Sequence, residues 1–283
     1  MFAKQSSPKS ASVWRKLAPE CANPNCLTKS FLQAMNHRHE GMTVDGRRYC
    51  GTECFQHAVK GMIVEIMNSQ GKPSKARTSR LPLGLLLLQR GILTAEQLKL
   101  ALARHKELSP MNFGDVVQQL GFATEEQVTA AVAAQWACPV FALGERTLLN
   151  ELRIPRQFLE LYGMIPVHYS ESERRLMIGF VSGVQHQILY TIGQITSCTV
   201  VPCFITAREY DSHLNSPTTA FLRDHETVFE EIFEPEGIAR IIREHVVKFG
   251  AERFRLGLCR DYFWVRIWGN KGQADLLFRL RRD

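Results

Sequence analysis

Residues 82–105 read PLGLLLLQRGILTAEQLKLALARH, and residues 112–135 read NFGDVVQQLGFATEEQVTAAVAAQ. The two stretches align at an offset of 30 residues. Gly84 falls on Gly114, Gly91 on Gly121, and Thr94-Ala95-Glu96-Gln97 on Thr124-Glu125-Glu126-Gln127. Gly91 and Gly121 can end a short helix, because a residue without Cβ takes the left-handed backbone that closes one. Thr94 and Thr124 can cap the next helix, with Gln97 and Gln127 closing a capping box. Leu98 and Leu102, like Val128 and Val132, stand at i, i+4 and predict one buried face. Each repeat is therefore expected to be a helix–turn–helix, and the pair a small bundle.

Working outward, residues 81–143 read as helical. Residues 150–215 alternate between strand and helix: strands near Met164–His168, Arg175–Val181 and Thr199–Ile205, helices near Val184–Thr196 and from Thr206 to about Leu214. That is an α/β order. A short loop (216–220) leads to a long helix expected over 221–250. Three strand-like runs follow, Phe254–Arg260, Tyr262–Trp268 and Ala274–Leu280, the last two joined by a turn at 269–272. In Tyr262–Trp268, Phe263, Val265 and Ile267 share one face. Tyr262, Trp264, Arg266 and Trp268 share the other, which fits either a strand buried on one side or an interaction surface.

At the other end, residues 1–20 read as a disordered basic tail and 68–80 as a flexible basic linker with Lys72, Lys75, Arg77 and Arg80. The chain's formal charge of +7 is uneven. Residues 1–80 hold 13 Lys+Arg against 5 Asp+Glu, whereas 81–283 hold 22 against 23. A nucleic-acid or acidic-surface reading of the charge is thus confined to the first 80 residues. No apolar stretch is long enough to span a bilayer and no secretory signal stands at the start, so a cytoplasmic setting with reduced thiols is expected.

Four of the eight cysteines lie close together: Cys21-x4-Cys26, then Cys50-x3-Cys54. Two short pairs from separate turns supply the four thiolates that Zn²⁺ takes in a tetrahedron. Cys50 would precede a turn and Cys54 would lie near a helix start. His37, His39 and His57 are potential substitute ligands, but four cysteines already fill the shell. Neither pair has the C-x-x-C spacing of a redox dithiol. Residues 21–67 are thus expected to form a four-cysteine zinc module in which the metal is structural, since so short a module has little core of its own. It resembles treble-clef-like zinc fingers with a YC-x3-C second knuckle. The remaining cysteines, Cys138, Cys198, Cys203 and Cys259, sit in apolar stretches as small hydrophobes.

The tandem repeat is similar to the MshEN, or GspE N-terminal, domain of bacterial type II secretion and type IV pilus assembly ATPases. That family carries two copies of Arg-Leu-Gly-x2-two aliphatics-x2-Gly-two aliphatics-x4-Leu-x3-Leu-x2-Gln. Residues 83–102 fit the glycine and aliphatic positions of the first copy, and 113–135 fit the second. The resemblance spans about 130 residues, 81–215. It implies a nucleotide-binding module for cyclic di-GMP, with an opening Arg that stacks on guanine and pairs with phosphate, and a closing Gln. On that implication the candidate ligand residues are Arg80, Leu83, Gly84, Arg104, His105, Phe113, Gly114 and Gln135. The sequence departs from the pattern at polar positions: Pro82 and Asn112 replace the opening arginines, and His105 replaces the first closing Gln. Arg80, Arg90, Arg104 or Lys106 would have to compensate. Residues 81–143 hold four Lys+Arg against five Asp+Glu, so a dianion meets no basic field there.

The resemblance does not extend to the ATPase, because no G-x4-G-K-[ST] occurs; H-E-x-x-H, G-x-S-x-G and G-x-G-x-x-G are also missing. The reading is an α+β multidomain chain: a zinc finger, a helical tandem-repeat bundle followed by an α/β subdomain, and a C-terminal helix with antiparallel strands over 221–283. Its expected role is a non-enzymatic regulatory adaptor whose protein partner belongs to a type II secretion or type IV pilus-type system. The alternative is a nucleic-acid-binding zinc-finger protein acting through residues 1–80.

Overall fold

The computed structural model describes residues 21–26, 41–69, 80–143, 153–215, 226–231 and 234–280. Strands β1 (Met42–Val44) and β2 (Arg47–Tyr49) precede helix α1 (Thr52–Ser69). The repeats supply α2 (Leu83–Gln89), α3 (Ala95–Glu107), α4 (Phe113–Gln119) and α5 (Glu125–Gln135). Then come α6 (Arg156–Tyr162), β3 (Met164–Ser170), β4 (Arg175–Phe180), α7 (His186–Thr196), β5 (Thr199–Phe204) and α8 (Ala207–Leu214). Strand β6 (Glu226–Phe229), helix α9 (Pro235–Phe249) and strands β7 (Ala251–Cys259), β8 (Tyr262–Gly269) and β9 (Gly272–Arg279) complete the order. The chain divides into two compact units, one formed by Met1–Pro73 with Thr227–Asp283, the other by Ser74–Glu226.

In the first unit β1 and β2 form an antiparallel hairpin whose turn, Asp45-Gly46, takes positive φ at both residues (54° and 70°). Asp-Gly suits that turn. Helix α1 buries Phe55, Ala58, Val59 and Ile63, and α9 buries Ile238, Ala239, Ile242 and Val246. Both stripes join one core with Phe254, Leu258, Phe263, Val265, Ile267, Leu276 and Phe278 of the antiparallel sheet β6-β9-β8-β7. Tyr49 and Phe254 each meet Phe55 edge-on, at 5.2 and 5.5 Å between ring centroids.

This corrects the expected division of the chain: the cysteine module is not separate from the C-terminal region but shares its core. A short hairpin cannot cover the apolar stripe of an eighteen-residue helix, and the C-terminal sheet does so instead. The helix expected over 221–250 also needs correction. Glu226–Phe229 is a strand, with Phe229 stacked on Phe278 at 4.7 Å, and the helix starts at Pro235. Proline fits the first helical turn and disfavours helix at the residue before it.

A further correction concerns β8. Trp264 and Arg266 are buried like the opposite face, so this is not an exposed Trp/Tyr/Arg surface. Arg266 sits across from Asp275 and forks onto it, Nε to Oδ1 at 2.8 Å and Nη2 to Oδ2 at 3.0 Å. The Trp264 indole N–H donates to the same Oδ1 at 2.7 Å. A cross-strand carboxylate thus lets an arginine be buried in a sheet.

In the second unit β3 and β4 pair antiparallel, and β4 and β5 pair parallel across α7. The segment after α5 adds to the sheet edge through a Val140–Phe204 bridge and a Phe141 N–H to Phe204 O bond at 2.8 Å. Helix α8 opens with a capping box from Thr206 and Glu209. Glu209 Oε1 also accepts the Leu143 N–H at 2.9 Å, tying that segment to the helix. The expected tail over 1–20, the loop over 216–220, His37, His39 and most of the linker lie outside the described residues.

Candidate functional site

The four cysteines converge. Their sulfurs lie within 4.8 Å of one another, with Cys50–Cys54 at 3.2 Å and Cys26 at 3.6 Å from both. Four sulfurs at the usual Zn–S bond length of about 2.3 Å span tetrahedral edges of about 3.8 Å, so this donor set fits a single Zn²⁺ with little rearrangement. Local turns build it. Cys26 N–H bonds Asn23 O at 3.1 Å, Asn25 N–H bonds the Asn23 side-chain oxygen at 3.0 Å, and Ala22 N–H bonds Arg48 O at 2.7 Å. The first knuckle is therefore clamped to the β1–β2 hairpin, while α1 carries Cys54.

Burial pushes the Cys54 thiol up, and the Cys50 and Cys26 sulfurs add to this, while the Asn23 side chain pulls it down. Burial likewise raises Cys21, against N–H groups of Asn23 and Cys50 that favour its thiolate. A divalent cation at the centre would reverse the penalty of packing these sulfurs together. Four thiolates leave no open coordination position, so the set suits a structural metal. His57 is exposed and stands outside the cluster.

The repeat module keeps both capping boxes: Thr94 with Gln97, and Thr124 with Gln127. Gly91 and Gly121 take φ of 68° and 70°. Gly84 and Gly114 are glycines for another reason, close approach. A Cβ on Gly84 would stand 2.7 Å from Leu98 Cδ1 and 3.2 Å from the Phe113 ring; on Gly114 it would stand 2.9 Å from Val128 Cγ1 and 3.6 Å from Leu83. The helices of the two repeats thus cross over the paired glycines. The expected Leu98/Leu102 face is half right. Leu98 packs inward, but Leu102 is 47% exposed and Ala101 is buried instead.

The candidate ligand residues fall into two groups and one outlier. Leu83, Gly84, Phe113 and Gly114 meet at the helix crossing, with the His105 ring edge-on to Phe113 at 5.8 Å. Arg80 and Gln135 meet at the end of α5: the Arg80 guanidinium lies 3.3 Å from the centroid of the Trp136 ring, and Gln135 Nε2 donates to Leu81 O at 2.6 Å. Arg104 is apart from both, paired with Glu107 at 2.8 Å on the exposed side of α3. Trp136 went unnoticed in the sequence, although it directly follows Gln135; no repeat position marks it, and only the fold brings it under Arg80. It also faces Gly183, where a Cβ would stand 3.2 Å from its ring.

No family model and no curated protein matches the sequence. Solved structures do. The chain is similar to MshE, in a structure with cdg, at 22% identity over 47% of this chain and 99% of that one, with a TM-score of 0.39. It is similar to the N-terminal domain of XpsE at 18% identity over 50% of this chain and 96% of that one, with a TM-score of 0.37. A second crystal form of that domain gives 19% identity, 51% and 97% coverage, and a TM-score of 0.30. Its structural neighbours are therefore MshE and the XpsE N-terminal domain, each matched over about half of this chain. Among the described residues no helix is long and apolar enough to cross a membrane.

Proposed function

We propose that the chain is a non-enzymatic regulatory adaptor of a type II secretion or type IV pilus-type system, working in the cytoplasm. The unit Ser74–Glu226 is its sensing part, and a structural zinc ion staples the other unit. The observation that carries this reading is the paired repeat, in which both copies keep the glycine crossing and the capping box.

The ligand to test is cyclic di-GMP. Arg80 is the planar cation that would meet it; its guanidinium lies on Trp136, next to Gln135. A guanidinium so held can stack on a purine and donate to phosphate at once. Gly84 and Gly114 keep the crossing of the two repeats tight. Zinc, when bound to Cys21, Cys26, Cys50 and Cys54, supplies a tetrahedral cross-link that fixes the first knuckle to α1.

Calorimetric titration of the full chain with cyclic di-GMP tests the ligand. Binding that R80A and Q135A abolish is expected. Affinity purification of the full chain is expected to bring down a secretion or pilus component. No heat of binding together with no such component would overturn the reading.

A second reading, nucleic-acid binding, has one observation in its favour. The unit bearing the cysteines holds 21 Lys+Arg against 14 Asp+Glu, whereas Ser74–Glu226 holds 14 of each. The whole excess thus falls on one unit. That reading requires salt-sensitive retardation of DNA or RNA by the full chain, since the β1–β2 hairpin and α1 share a core with the C-terminal sheet.

A further inference from the structure

The chain passes from the cysteine-bearing unit into the second unit ahead of Arg80, and α2 starts at Leu83. This entry is held on the end of α5. The Leu81 carbonyl accepts a hydrogen bond from Gln135 Nε2 at 2.6 Å, and the Arg80 guanidinium lies 3.3 Å from the centroid of the Trp136 ring. The Leu81 side chain is 44% exposed, so burial adds little to these two contacts. The α5 side is firmly seated. The Trp136 N–H bonds Val132 O at 3.1 Å, and its ring packs where Gly183 leaves room, a Cβ there standing 3.2 Å away. A fixed catch thus holds a chain entry by two surface contacts, each of which shifts the ratio of closed to open by about 2- to 10-fold.

Both contacts leave their groups able to do more. Gln135 gives Leu81 one N–H and keeps a second N–H and its oxygen. Stacking on Trp136 uses one face of the Arg80 guanidinium and none of its in-plane donors. A ligand with an aromatic base and a phosphate can therefore meet Arg80 and Gln135 without breaking either contact. When the entry swings out, Arg80 leaves with it and the ligand loses its cation. Such a ligand favours the closed form and stabilises it by mass action.

We propose that Arg80 and Leu81 form a latch on the end of α5, and that a nucleotide anion bound at Arg80 and Gln135 locks it shut. Occupancy of the site is then read out as a fixed entry of the chain from the cysteine-bearing unit. The locking rests on the reading of Arg80 and Gln135 as ligand residues; the latch does not.

Limited trypsin digestion of the full chain, followed by mass spectrometry, tests both parts. The bonds to follow are Arg77–Thr78 and Arg80–Leu81, with the bonds after Lys99 and Arg104 inside α3 as the reference for unfolding. Trypsin needs residues on both sides of a bond extended, so a closed latch slows both cuts. A ligand that merely covers Arg80 slows only the second. Without ligand, Q135A and R80K, which keep both trypsin sites, are expected to speed both cuts by about 2- to 10-fold, because cleavage tracks the open population. The α3 bonds are expected to stay intact over the same time. Cyclic di-GMP at about ten times its calorimetric Kd is expected to slow both wild-type cuts about tenfold and to leave those of Q135A unchanged. Wild-type cutting rates in Q135A and R80K would overturn the latch. Binding by calorimetry that slows only the Arg80–Leu81 cut, or speeds either cut, would overturn the locking and leave the ligand reading standing. No heat of binding would overturn the ligand reading and the locking together, while faster cutting in the two variants would still support the latch.

Discussion

Replacing Gly84 by alanine separates two explanations for the repeated glycine frame. If Gly84 is glycine only through history, alanine should stabilise α2, since it is more favourable than glycine within a helix by up to about 1 kcal/mol. The structure gives a different sign. The added Cβ would stand 2.7 Å from Leu98 Cδ1 and 3.2 Å from two atoms of the Phe113 ring, so a leucine end and an aromatic ring must both give way. Forcing one carbon into such a crossing costs about 1–3 kcal/mol. Set against a helical gain of up to about 1 kcal/mol, the net loss is about 0–2 kcal/mol, a fall of up to several degrees in melting temperature at this size. Gly61 is the control. It lies in α1 with nothing within 4 Å of its would-be Cβ, so G61A should raise stability by about 0.5–1 kcal/mol. G114A, at 2.9 Å from Val128 and in ordinary contact with Leu83 at 3.6 Å, should fall between the two. Thermal and urea unfolding followed by circular dichroism check the order. If G84A melts above wild type, the close-approach account of the frame is wrong.

Removing zinc with a strong chelator at neutral pH should weaken the near-ultraviolet signal of the Tyr49–Phe55–Phe254 cluster, because the knuckle and α1 share that core; zinc should restore it and magnesium should not. R80A should destabilise the second unit by about 0.5–1 kcal/mol and shift the emission of Trp136, and R80K should behave like R80A, since a lysine keeps the charge but loses the flat stack. Acid stability should report Glu209. Burial raises its pKa, but hydrogen bonds from the Thr206 N–H, the Thr206 hydroxyl and the Leu143 N–H outweigh this and hold it below the ordinary carboxylate value. A depressed folded pKa means stability that is full above the unfolded value of about 4.3 and lost as pH falls through the folded one, so E209Q should flatten the acid limb of a pH–stability curve.

What the sequence disclosed follows range. Thr94 and Gln97 satisfy each other within four residues, so the capping boxes were legible, and so was the 269–272 turn, whereas the β1–β2 hairpin with its Asp45-Gly46 turn was not read. The four cysteines were legible because their spacing is itself the chemistry of a tetrahedral ion. Long-range choices were not. Nothing near Phe55 says that it will meet Phe254, two hundred residues on. Alternation along β8 marks two faces but not that Asp275 will neutralise Arg266, so a face that reads as a surface is buried. The i, i+4 pattern holds for Val128 and Val132, both buried, but not for Leu102, which is exposed while Ala101 is buried: spacing marks a face but not which of its residues a partner helix covers.

The charge changes meaning once the units are known. Dividing the sequence at residue 80 leaves a basic arm on a neutral body, but the fold does not divide there. Acids of the first segment are matched by arginines of the last: Asp45 with Arg255 at 3.0 Å, and Glu53 with Arg243 at 2.7 Å. Lys60 in turn meets Glu236 at 2.6 Å, which Gln56 also holds at 2.7 Å. These contacts fix α1 against α9 and the hairpin against β7, so part of the local charge serves the fold and is not available to a partner. Exposed pairs of this kind each contribute little to stability, but they set which groups face each other. The excess of seven positive charges then belongs to the cysteine-bearing unit as a whole, and the repeat unit balances to zero. Any anion drawn in by long-range field is drawn to the first unit. In the second, the proposed ligand would have to be recognised by short-range geometry, and the Arg80 guanidinium stacked on Trp136 is the group whose loss tests that proposal.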